Sequence, residues 1–328
     1  MKIAIVILNW NGRSLLEQFL PDLVKHSGNA QLCLIDNAST DDSCAFLSQQ
    51  YPQIKQVVLD QNYGFAKGYN LGLKSIEADL YCLLNNDVAI SKNWLFPIQD
   101  AFKDSELAIA QPLLLQYDKR QYFEYAGAAG GYIDRYGFPY CRGRLFNHLE
   151  KNNGQYKTSY CFWASGACFF IRRSVWEELK GFDEDFFMHQ EEIDLCWRAF
   201  NQGYKTKCIA SSQVYHLGAA SLKPSPKKTF YNHRNSLWML IKNVPKQHLF
   251  WVFFMRLVFD GFAAIRYLSL GHIASFFMVI KAHFAVYGSL RKILAKRKPS
   301  RQKEPYYDLN NIPWKHYILR KRKFSDLY

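Results

Sequence analysis

Residues 3–12 read IAIVILNWNG, an apolar run rich in β-branched side chains that ends in a polar Asn-Trp-Asn-Gly segment. A short, continuous apolar run bounded by turn residues is typical of a strand covered on both faces. Residues 14–26 follow with leucine and phenylalanine side chains at helical spacing, which predicts a helix. The chain therefore opens with a buried strand, a polar loop and a helix.

The same pattern recurs within the first 90 residues. Further strands are predicted at residues 31–35, 56–59 and 80–84, and each ends in a polar cluster. Strands that alternate with helices favour an α/β fold, here a mainly parallel, twisted sheet flanked by helices. The carboxyl ends of parallel strands meet at one edge of the sheet, where ligands bind. One polar loop is ordinary turn chemistry, but four at the same edge favour a site for a polar ligand.

The cluster after the fourth strand is Asn85-Asn86-Asp87, which puts one carboxylate at a rigid strand end. Mg²⁺ takes oxygen ligands and commonly uses one or two carboxylates, with water and phosphate completing its shell. Asp87 suits that role, with Asn85 or Asn86 aiding orientation; the alternative is an Asx turn that caps the following segment. After the second strand, Ser39 or Thr40 is expected to cap the next helix, which leaves Asp36 free to accept hydrogen bonds from a base or ribose.

Residues 64–72 read GFAKGYNLG, with glycines four residues apart at the start of a predicted helix. This is neither the G-x-G-x-x-G pattern nor a P-loop, which disfavours dinucleotide-dependent oxidoreductases and NTPases. Gly64 still permits close approach of a ligand to the helix start, and Lys67 is placed to offset phosphate charge. The chain has no G-x-S-x-G segment, so a serine nucleophile of the hydrolase type is not indicated.

An acidic segment opens a further predicted helix within residues 182–200. Its predicted buried face, at positions i, i+3, i+4 and i+7, consists of Ile193, Cys196, Trp197 and Phe200. Glu191, Glu192 and Asp194 fall in the first turn, where the helix dipole favours negative charge. A carboxylate held there inside a cleft is also a suitable general base for a hydroxyl. His216 follows another apolar stretch, and a lone histidine is more often structural than a metal ligand.

Residues 1–240 contain, in this order, the segments VILNWNG, IDNASTDDS, NYGFAKGYN, LLNNDV, SGACFFIRR, GFDEDFFMHQEEIDLCWRA and VYHLGAAS. In content and order they resemble the family 2 glycosyltransferases of the GT-A fold. The nearest likeness is to the rhamnosyltransferase-like branch, which builds bacterial surface polysaccharides. The resemblance implies an enzyme that uses a nucleotide-sugar donor and inverts the anomeric centre in one displacement.

The resemblance also implies roles for particular residues. The nucleotide would be held by the loop after the first strand and the aspartate after the second, here Asn9, Asn11 and Asp36. A divalent ion, Mg²⁺ or Mn²⁺, would bind Asp87, and the downstream His216 would complete its site. The acidic pair that opens the late helix would supply the base. The other candidate substrate-binding residues are Asn37, Asn62, Gly64, Lys67, Asn85, Asn86 and Gly166.

Two positions depart from the family pattern. The metal motif is usually Asp-x-Asp or Asn-x-Asp, and the segment here keeps the final carboxylate and lacks the first. The helix pair is usually Glu-Asp, with the aspartate as base, whereas this chain has Glu191-Glu192. The longer side chain moves the carboxylate by roughly an ångström or more, a displacement that matters in catalysis. Glu192 is the predicted base if the backbone compensates; otherwise Asp194 takes over, or the chain is an inactive nucleotide-sugar-binding scaffold of a glycan assembly complex.

Positive charge is concentrated toward the C-terminus. The formal net charge is +14, and residues 221–328 alone contribute +17. Residues 1–220 contribute −3, so a slightly acidic body carries a strongly basic tail. The sequence predicts a catalytic domain at residues 1–240 and a basic, aromatic-rich helical region at residues 241–328. Eight scattered cysteines without a C-x-x-C pair predict buried, reduced thiols of a cytoplasmic protein.

The C-terminal region has the composition of a membrane-associating surface. Its apolar stretches at 249–257 and 258–265 are interrupted by charges and are shorter than the roughly 20 residues that span a bilayer. Aromatic-rich helices followed by basic runs at 291–298 and 320–323 are typical of interfacial anchors on an anionic membrane surface. The alternatives are a helical pair packed on the body and a single re-entrant or spanning hairpin. This pattern favours a peripheral protein on the inner face of the cell membrane over a nucleic-acid-binding protein. Together with the family resemblance, it also favours a lipid-linked saccharide as the acceptor.

The Gln-x-x-Arg-Trp motif of processive family members does not occur, which predicts transfer of a single sugar.

Overall fold

The computed structural model describes residues 1–218 and 225–328. Its strands are β1 (Ile3–Asn9), β2 (Gln31–Asp36), β3 (Lys55–Val58), β4 (Leu80–Asn85), β5 (Val88–Ile90), β6 (Leu107–Gln116), β7 (Gly131–Ile133), β8 (Pro139–Cys141), β9 (Arg144–Leu145), β10 (His148–Leu149), β11 (Ser159–Cys161), β12 (Cys168–Arg172) and β13 (Lys205–His216). Its α-helices are α1 (Arg13–His26), α2 (Ser43–Gln50), α3 (Gly64–Gly72), α4 (Leu95–Ala101), α5 (Arg173–Leu179), α6 (Glu191–Asn201), α7 (Pro226–Asn243), α8 (Lys246–Ser269), α9 (Ile273–Gly288), α10 (Leu290–Ala295) and α11 (Ile312–Tyr317). The four strands and the first helix predicted in the first 90 residues are present, with ends that differ by one residue.

The main sheet has the strand order β11-β13-β6-β12-β4-β1-β2-β3, and β5 pairs with β13 outside this path. The first four strands of the chain are parallel to one another. β1 pairs with β2 on one side and with β4 on the other, and β3 extends the sheet beyond β2. β12 runs antiparallel between β4 and β6, so the complete sheet is mixed. The predicted α/β fold with flanking helices is confirmed.

Helices cover both faces of this sheet. Along β1, odd-numbered side chains belong to one apolar cluster and even-numbered ones to the other, because successive strand residues point to opposite faces. Leu16 of α1 and Ile98 of α4 pack on one face, and Tyr69 of α3 and Trp197 of α6 pack on the other. All eight cysteines are free, and six of them are buried.

A second, smaller sheet was not predicted. It has the antiparallel order β10-β9-β8-β7, and each strand has only two or three residues, too few to show a period-two pattern in the sequence. Leu309, Ile312 and Leu327 from the C-terminal segment pack with Tyr140 and Leu145 of this sheet. The end of the chain therefore returns to cover it.

The C-terminal helices pack against the body. α7 contacts both α6 and α9. Val252 of α8 and Tyr306 belong to the apolar cluster that fills one face of the main sheet, and the Tyr306 and Trp197 ring centroids are 4.7 Å apart. The predicted boundary at residue 240 falls inside α7, and the division into two domains stays a prediction.

The prediction that every apolar stretch of this region is too short to span a bilayer is wrong for α8. The two stretches expected there join into one helix of 24 residues, which is long and apolar enough to cross a bilayer by length and composition alone. Its interrupting charges, Arg256 and Asp260, are both buried and pair with each other at 3.0 Å. Nitrogens of His233 and His283 each lie 3.2 Å from the Asp260 carboxylate. These two mid-helix charges therefore face the protein, while Lys246 and Arg266 near the helix ends are exposed, and the outward side between them is mainly apolar.

Candidate active site

Asn9, at the end of β1, connects three of the polar loops. The strand register pairs Asn9 with Asp36, and Leu8 with Asn85. The Asn9 side chain is fully buried, its Nδ2 donates to Asp36 Oδ2 at 3.1 Å, and its Oδ1 accepts from Asn86 Nδ2 at 3.0 Å. The structure thus brings the polar ends of β1, β2 and β4 together at one edge of the sheet.

The loop after β1 leaves no space for a side chain at Gly12. A Cβ there would overlap both Asn9 Oδ1 and Asn86 Nδ2, the two atoms that form the central hydrogen bond. Asn11 has a positive φ of 50° and turns toward the second loop, where its Oδ1 accepts the N–H of Thr40 at 2.7 Å. The first and second loops therefore form one connected unit.

Asp36 is engaged within its own loop, which corrects the prediction that it is free to bind a ligand. Its Oδ1 accepts the N–H of Ser39 at 2.8 Å, and its Oδ2 accepts the Ser39 hydroxyl at 2.7 Å. The expected capping of α2 by Ser39 or Thr40 is also wrong, since Asp41 accepts the N–H of Ser43 at 3.1 Å. Asp36 is only 1% exposed, and its hydrogen bonds hold the loop after β2 in place from the buried side.

Asn37 connects the second loop to the third. Its buried Nδ2 donates to Asn62 Oδ1 and to the carbonyl of Gly64, each at 3.0 Å, and its Oδ1 accepts the N–H of Tyr63 at 2.9 Å. Gly64 has a φ of 73°, which favours glycine at the start of α3. The Lys67 ammonium lies 4.3 Å from the Tyr63 ring centroid. Lys67 is partly exposed and stands beside the joined loops.

The expected metal-binding pair is formed by pairing of β13 with β5. That register sets His216 opposite Val88, which puts its imidazole beside Asp87. His216 Nε2 lies 3.0 Å from Asp87 Oδ1 and 3.5 Å from Asn85 Nδ2. The other carboxylate oxygen of Asp87 accepts the N–H of Gly218 at 3.1 Å. The rest of the predicted VYHLGAAS segment, from residue 219, lies outside the described residues.

Glu124 also belongs to this site, and sequence analysis did not identify it. Its carboxylate is 2% exposed, and Oε1 lies 3.2 Å from His216 Nδ1. Burial by itself would lower the pKa of His216, but hydrogen bonds to Asp87 and Glu124 raise it to about 10. Burial would raise the pKa of Asp87, yet the hydrogen bond from His216 holds it below its usual value. No motif surrounds Glu124, so the sequence carried no signal for it.

The Asp87–His216 pair fits a divalent cation. Two ligand atoms that are each about 2.1 Å from an ion and roughly at right angles lie about 3 Å apart, close to the observed separation. A histidine ligand commonly gives its second nitrogen to a carboxylate, as His216 does to Glu124. Among residues 1–218 and 225–328, no group of three or more His, Cys, Asp or Glu is placed to hold a metal ion. Phosphate oxygens and water would therefore have to complete the coordination.

The acidic pair that opens α6, Glu191 and Glu192, lies near the loop that carries Asp87. Burial raises the pKa of Glu192 to about 7, and burial together with Glu192 raises the pKa of Glu191 well above its usual range. Glu192 remains partly exposed, as a group that receives a proton from a ligand must be. A Cβ at Gly166 would lie 3.9 Å from Glu192 Cδ, and the next carbonyl, that of Ala167, accepts the N–H of Asn85 at 3.0 Å. The segment just before β12 thus lies between Glu192 and the loop that carries Asp87.

Asp194 forms a buried ion pair, which corrects the prediction that it could replace Glu192 as base. Its Oδ2 accepts from Arg198 Nε at 2.8 Å and from Lys242 Nζ at 2.9 Å, and its Oδ1 accepts from Asn243 Nδ2 at 2.9 Å. Burial would raise the pKa of Asp194, but the charges of Lys242 and Arg198 hold it below its usual value. Asp194 therefore anchors α6 to α7.

The mixed sheet with polar loops joined at one edge agrees with the GT-A fold expected from the sequence. The model of glycosyl transferase family 2 matches residues 4–180, more than half of the chain, and the chain belongs to that family. Glu192 and His216 lie beyond the matched range.

Curated relatives have names that agree with this family. The N-acetylglucosaminyl-diphospho-decaprenol L-rhamnosyltransferase of Mycobacterium tuberculosis is 24% identical over 307 residues, which are 88% of this chain and 94% of that protein. The O-antigen biosynthesis protein RfbC of Myxococcus xanthus is 25% identical over 234 residues, which are 67% of this chain but 18% of that protein. The predicted resemblance to rhamnosyltransferase-like members of the family is confirmed.

Solved structures share the fold. The mannosyltransferase PcManGT from Pyrobaculum calidifontis, in complex with GDP-Man and Mn²⁺, has a TM-score of 0.51 and 12% identity to this chain. The match covers 90% of this chain and 83% of that one. At this identity the likeness supports the fold alone, and it agrees with the GT-A prediction.

Proposed function

We propose that the chain is an inverting enzyme that moves one hexosyl or deoxyhexosyl group from a nucleoside-diphosphate sugar to a hydroxyl of a saccharide. The observation that carries this proposal is the arrangement at the start of β12. Glu192 borders Gly166 on one side, and the loop with Asp87 is hydrogen-bonded to Ala167 on the other. Only the backbone of Gly166 and Ala167 thus lies between Glu192, the proposed base, and the loop with Asp87, which would bind the charged leaving group.

The reaction follows from these roles. A divalent cation, Mg²⁺ or Mn²⁺, held by Asp87 and His216 would supply positive charge to stabilise the departing diphosphate. Glu192 takes the proton of the acceptor hydroxyl while that oxygen bonds to the anomeric carbon. The bond from this carbon to the diphosphate oxygen breaks, and its electron pair leaves with the nucleoside diphosphate. A single displacement of this kind inverts the anomeric centre.

The donor nucleotide would contact the exposed parts of the joined loops. Asn11 and Asn62 are exposed and Lys67 is partly exposed, so these side chains are accessible to a ligand. Asn9 and Asp36 are buried beneath them and act by holding the loops in place. A cationic lysine near the start of α3 suits the negative charge of a diphosphate.

The proposed acceptor is a lipid-linked saccharide used in bacterial surface polysaccharide synthesis. Two observations support it. The M. tuberculosis relative is named for transfer to an N-acetylglucosaminyl-diphospho-decaprenol, and the M. xanthus relative for O-antigen biosynthesis. The chain also carries an exposed apolar surface. An enzyme that acts on a lipid-linked acceptor has to reach the membrane, and such a surface would bind there.

That surface is formed by the outward sides of α8 and α9. Its most exposed side chains are Phe250 (72%), Trp251 (63%), Phe262 (64%), Ile265 (62%), Phe277 (58%) and Phe284 (69%). Exposed apolar side chains on neighbouring helices are typical of helices that lie in a membrane interface. The buried pairing of the mid-helix charges with the body favours such a peripheral position over a spanning one, at the inner face of the cell membrane.

Turnover tests the enzymatic proposal. Purified protein is incubated with Mn²⁺, a panel of nucleotide sugars and a lipid-linked saccharide, and release of nucleoside diphosphate is measured. A shift in melting temperature identifies the donors that bind. Acceptor-dependent release that Glu192→Gln abolishes supports the proposal. Binding of a donor without any release would instead support the inactive scaffold that the Glu-Glu pair suggests.

Co-sedimentation with vesicles tests the membrane proposal. The double variant Phe250→Glu, Trp251→Glu should lose binding to vesicles that contain phosphatidylglycerol. The control is Phe96→Glu, because Phe96 is also 72% exposed but lies on α4 of the body. Wild-type binding by the double variant would contradict the proposal. Resistance of the membrane-bound protein to an alkaline carbonate wash would indicate a spanning helix instead.

A further inference from the structure

The turn that leads into α6 has an unusual backbone. Phe187, His189 and Gln190 all have positive φ angles, of 62°, 68° and 69°, although none is glycine. Each such residue costs on the order of 1 kcal/mol, and such conformations persist only where the surroundings hold them. Glu191 is the first residue of α6, so this turn sets the position at which the glutamate pair begins.

One side chain from α7 binds most of this turn. Asn235 is fully buried, and its Nδ2 lies 3.1 Å from the carbonyl oxygen of Phe186, 2.8 Å from that of Met188 and 2.8 Å from that of His189. Gln190 adds a bond in the opposite sense, because its Nε2 donates to the carbonyl of Asn232 at 3.1 Å. The strained turn is therefore bound to the middle of a helix that lies more than forty residues later in the sequence.

The orientation of the Asn235 amide follows from its neighbour. Its Oδ1 accepts from Arg234 Nε at 2.9 Å, which requires the NH₂ group to face the turn. Arg234 also donates from Nη2 to the carbonyls of Asp185 and Phe186, each at 3.1 Å, and its guanidinium carbon lies 4.2 Å from the Trp238 ring. The amide and the guanidinium thus bind four carbonyls of one segment, those of Asp185, Phe186, Met188 and His189.

We propose that Asn235 is a positioning residue that holds the turn before α6 so that the Glu192 carboxylate reaches the acceptor hydroxyl. This inference rests on the proposed role of Glu192 as base. It offers a reason why the longer glutamate can serve at that position, because hydrogen bonds from α7 help to hold the backbone before it in a strained conformation. Asn235 of α7 then acts on the base only through this turn, because it touches neither donor nor metal in the proposed reaction.

The isosteric variant Asn235→Asp separates hydrogen bonding from packing. It keeps the shape of the side chain but sets a carboxylate against three carbonyl oxygens. The matched control is Asn232→Asp, which makes the same charge change on the same helix, where the turn is bound through the backbone carbonyl. Asn235→Ser keeps one donor and provides a partial rescue.

We expect Asn235→Asp to lower kcat about 100-fold, the scale of a displacement of about 1 Å in a catalytic group. Donor affinity, measured as the Kd of the nucleotide sugar with Mn²⁺, should stay within about twofold of wild type. The lower midpoint of the pH–kcat profile should fall, because a relaxed turn exposes the Glu192 carboxyl to water. Asn235→Ser should lie between the variant and wild type, and Asn232→Asp should match wild type.

Other outcomes overturn the inference. If Asn235→Asp loses donor affinity and melting temperature together, with an unchanged pH midpoint in the folded fraction, the residue has only a structural role. If kcat stays at the wild-type value, the hydrogen bonds are not needed for positioning. If Glu192→Gln keeps full turnover, the assignment of the base itself fails, and that result is distinct from either of the others.

Discussion

Glu192→Gln should remove turnover and at the same time stabilise the protein above neutral pH. Burial raises the pKa of Glu192 to about 7 from its ordinary value of 4.5. The folded state therefore resists ionisation of this carboxyl, while the unfolded chain does not. Glutamine has almost the same shape and never ionises, so the variant avoids this penalty.

The size of the effect follows from the two pKa values. Between pH 4.5 and about 7 the folded protein holds a proton that the unfolded chain has lost, so the stability of wild type falls as pH rises. At roughly 1.4 kcal/mol for each pH unit, the penalty reaches about 3 kcal/mol and stays constant above pH 7. Below pH 4.5 both states are protonated and the penalty disappears. Relief of the repulsion between Glu192 and Glu191 adds to the gain in the same direction.

Urea unfolding of both proteins at pH 4.5 and pH 8 measures this difference. The variant should be more stable by about 3 kcal/mol at pH 8 and by less than about 0.5 kcal/mol at pH 4.5. Glu77→Gln is the control, because Glu77 is an exposed glutamate on the body. Equal stability of variant and wild type at pH 8 would refute the reasoning, since the carboxyl would then ionise in the folded state without penalty.

Further predictions concern the metal site, the loop junction and the α6–α7 contact. Glu124→Gln should weaken Mn²⁺ binding about 10- to 100-fold in calorimetry, because the His216 ring loses its charged partner; unchanged affinity would argue against that role. Gly12→Ala should lower nucleotide affinity at least about tenfold, since its Cβ displaces the central hydrogen bond, whereas Gly261→Ala, in an open helical position, should leave it unchanged. Lys242→Met should destabilise the protein by about 1.5–3 kcal/mol in urea unfolding, because Asp194 and Asp183 each lose one of their two cationic partners and keep Arg198 and Lys296 respectively, and an unchanged stability would contradict this.

Part of the candidate site could be predicted because it depends on local pattern. Continuous apolar runs predicted the parallel strands, and parallel strands of similar length end at the same edge of a sheet. Asn9, Asp36 and Asn85 therefore lie near one another as expected. The order of the motifs then indicated the family.

Other parts could not be predicted because they depend on contacts between distant segments. Glu124 reaches His216 across 92 residues, and Asn235 binds the turn before α6 across 46 to 49 residues. Neither residue lies in a motif, and a contact between residues so far apart in the chain leaves no repeating pattern in the sequence. The antiparallel direction of β12 is of the same kind, since an apolar run does not reveal which neighbours a strand pairs with.

From the sequence alone one can determine the order of strands and helices, the loops that carry polar side chains and the acidic start of α6, because propensity and periodicity act over a few residues. Only the tertiary structure decides what each carboxylate does. Asp194 and Glu192 are two residues apart, yet Lys242 from α7 neutralises the first, while the second has no cationic partner among the described residues and keeps a pKa near 7. Ionisation depends on charge and solvent within a few ångströms in space, and chain folding brings those neighbours from far away in sequence.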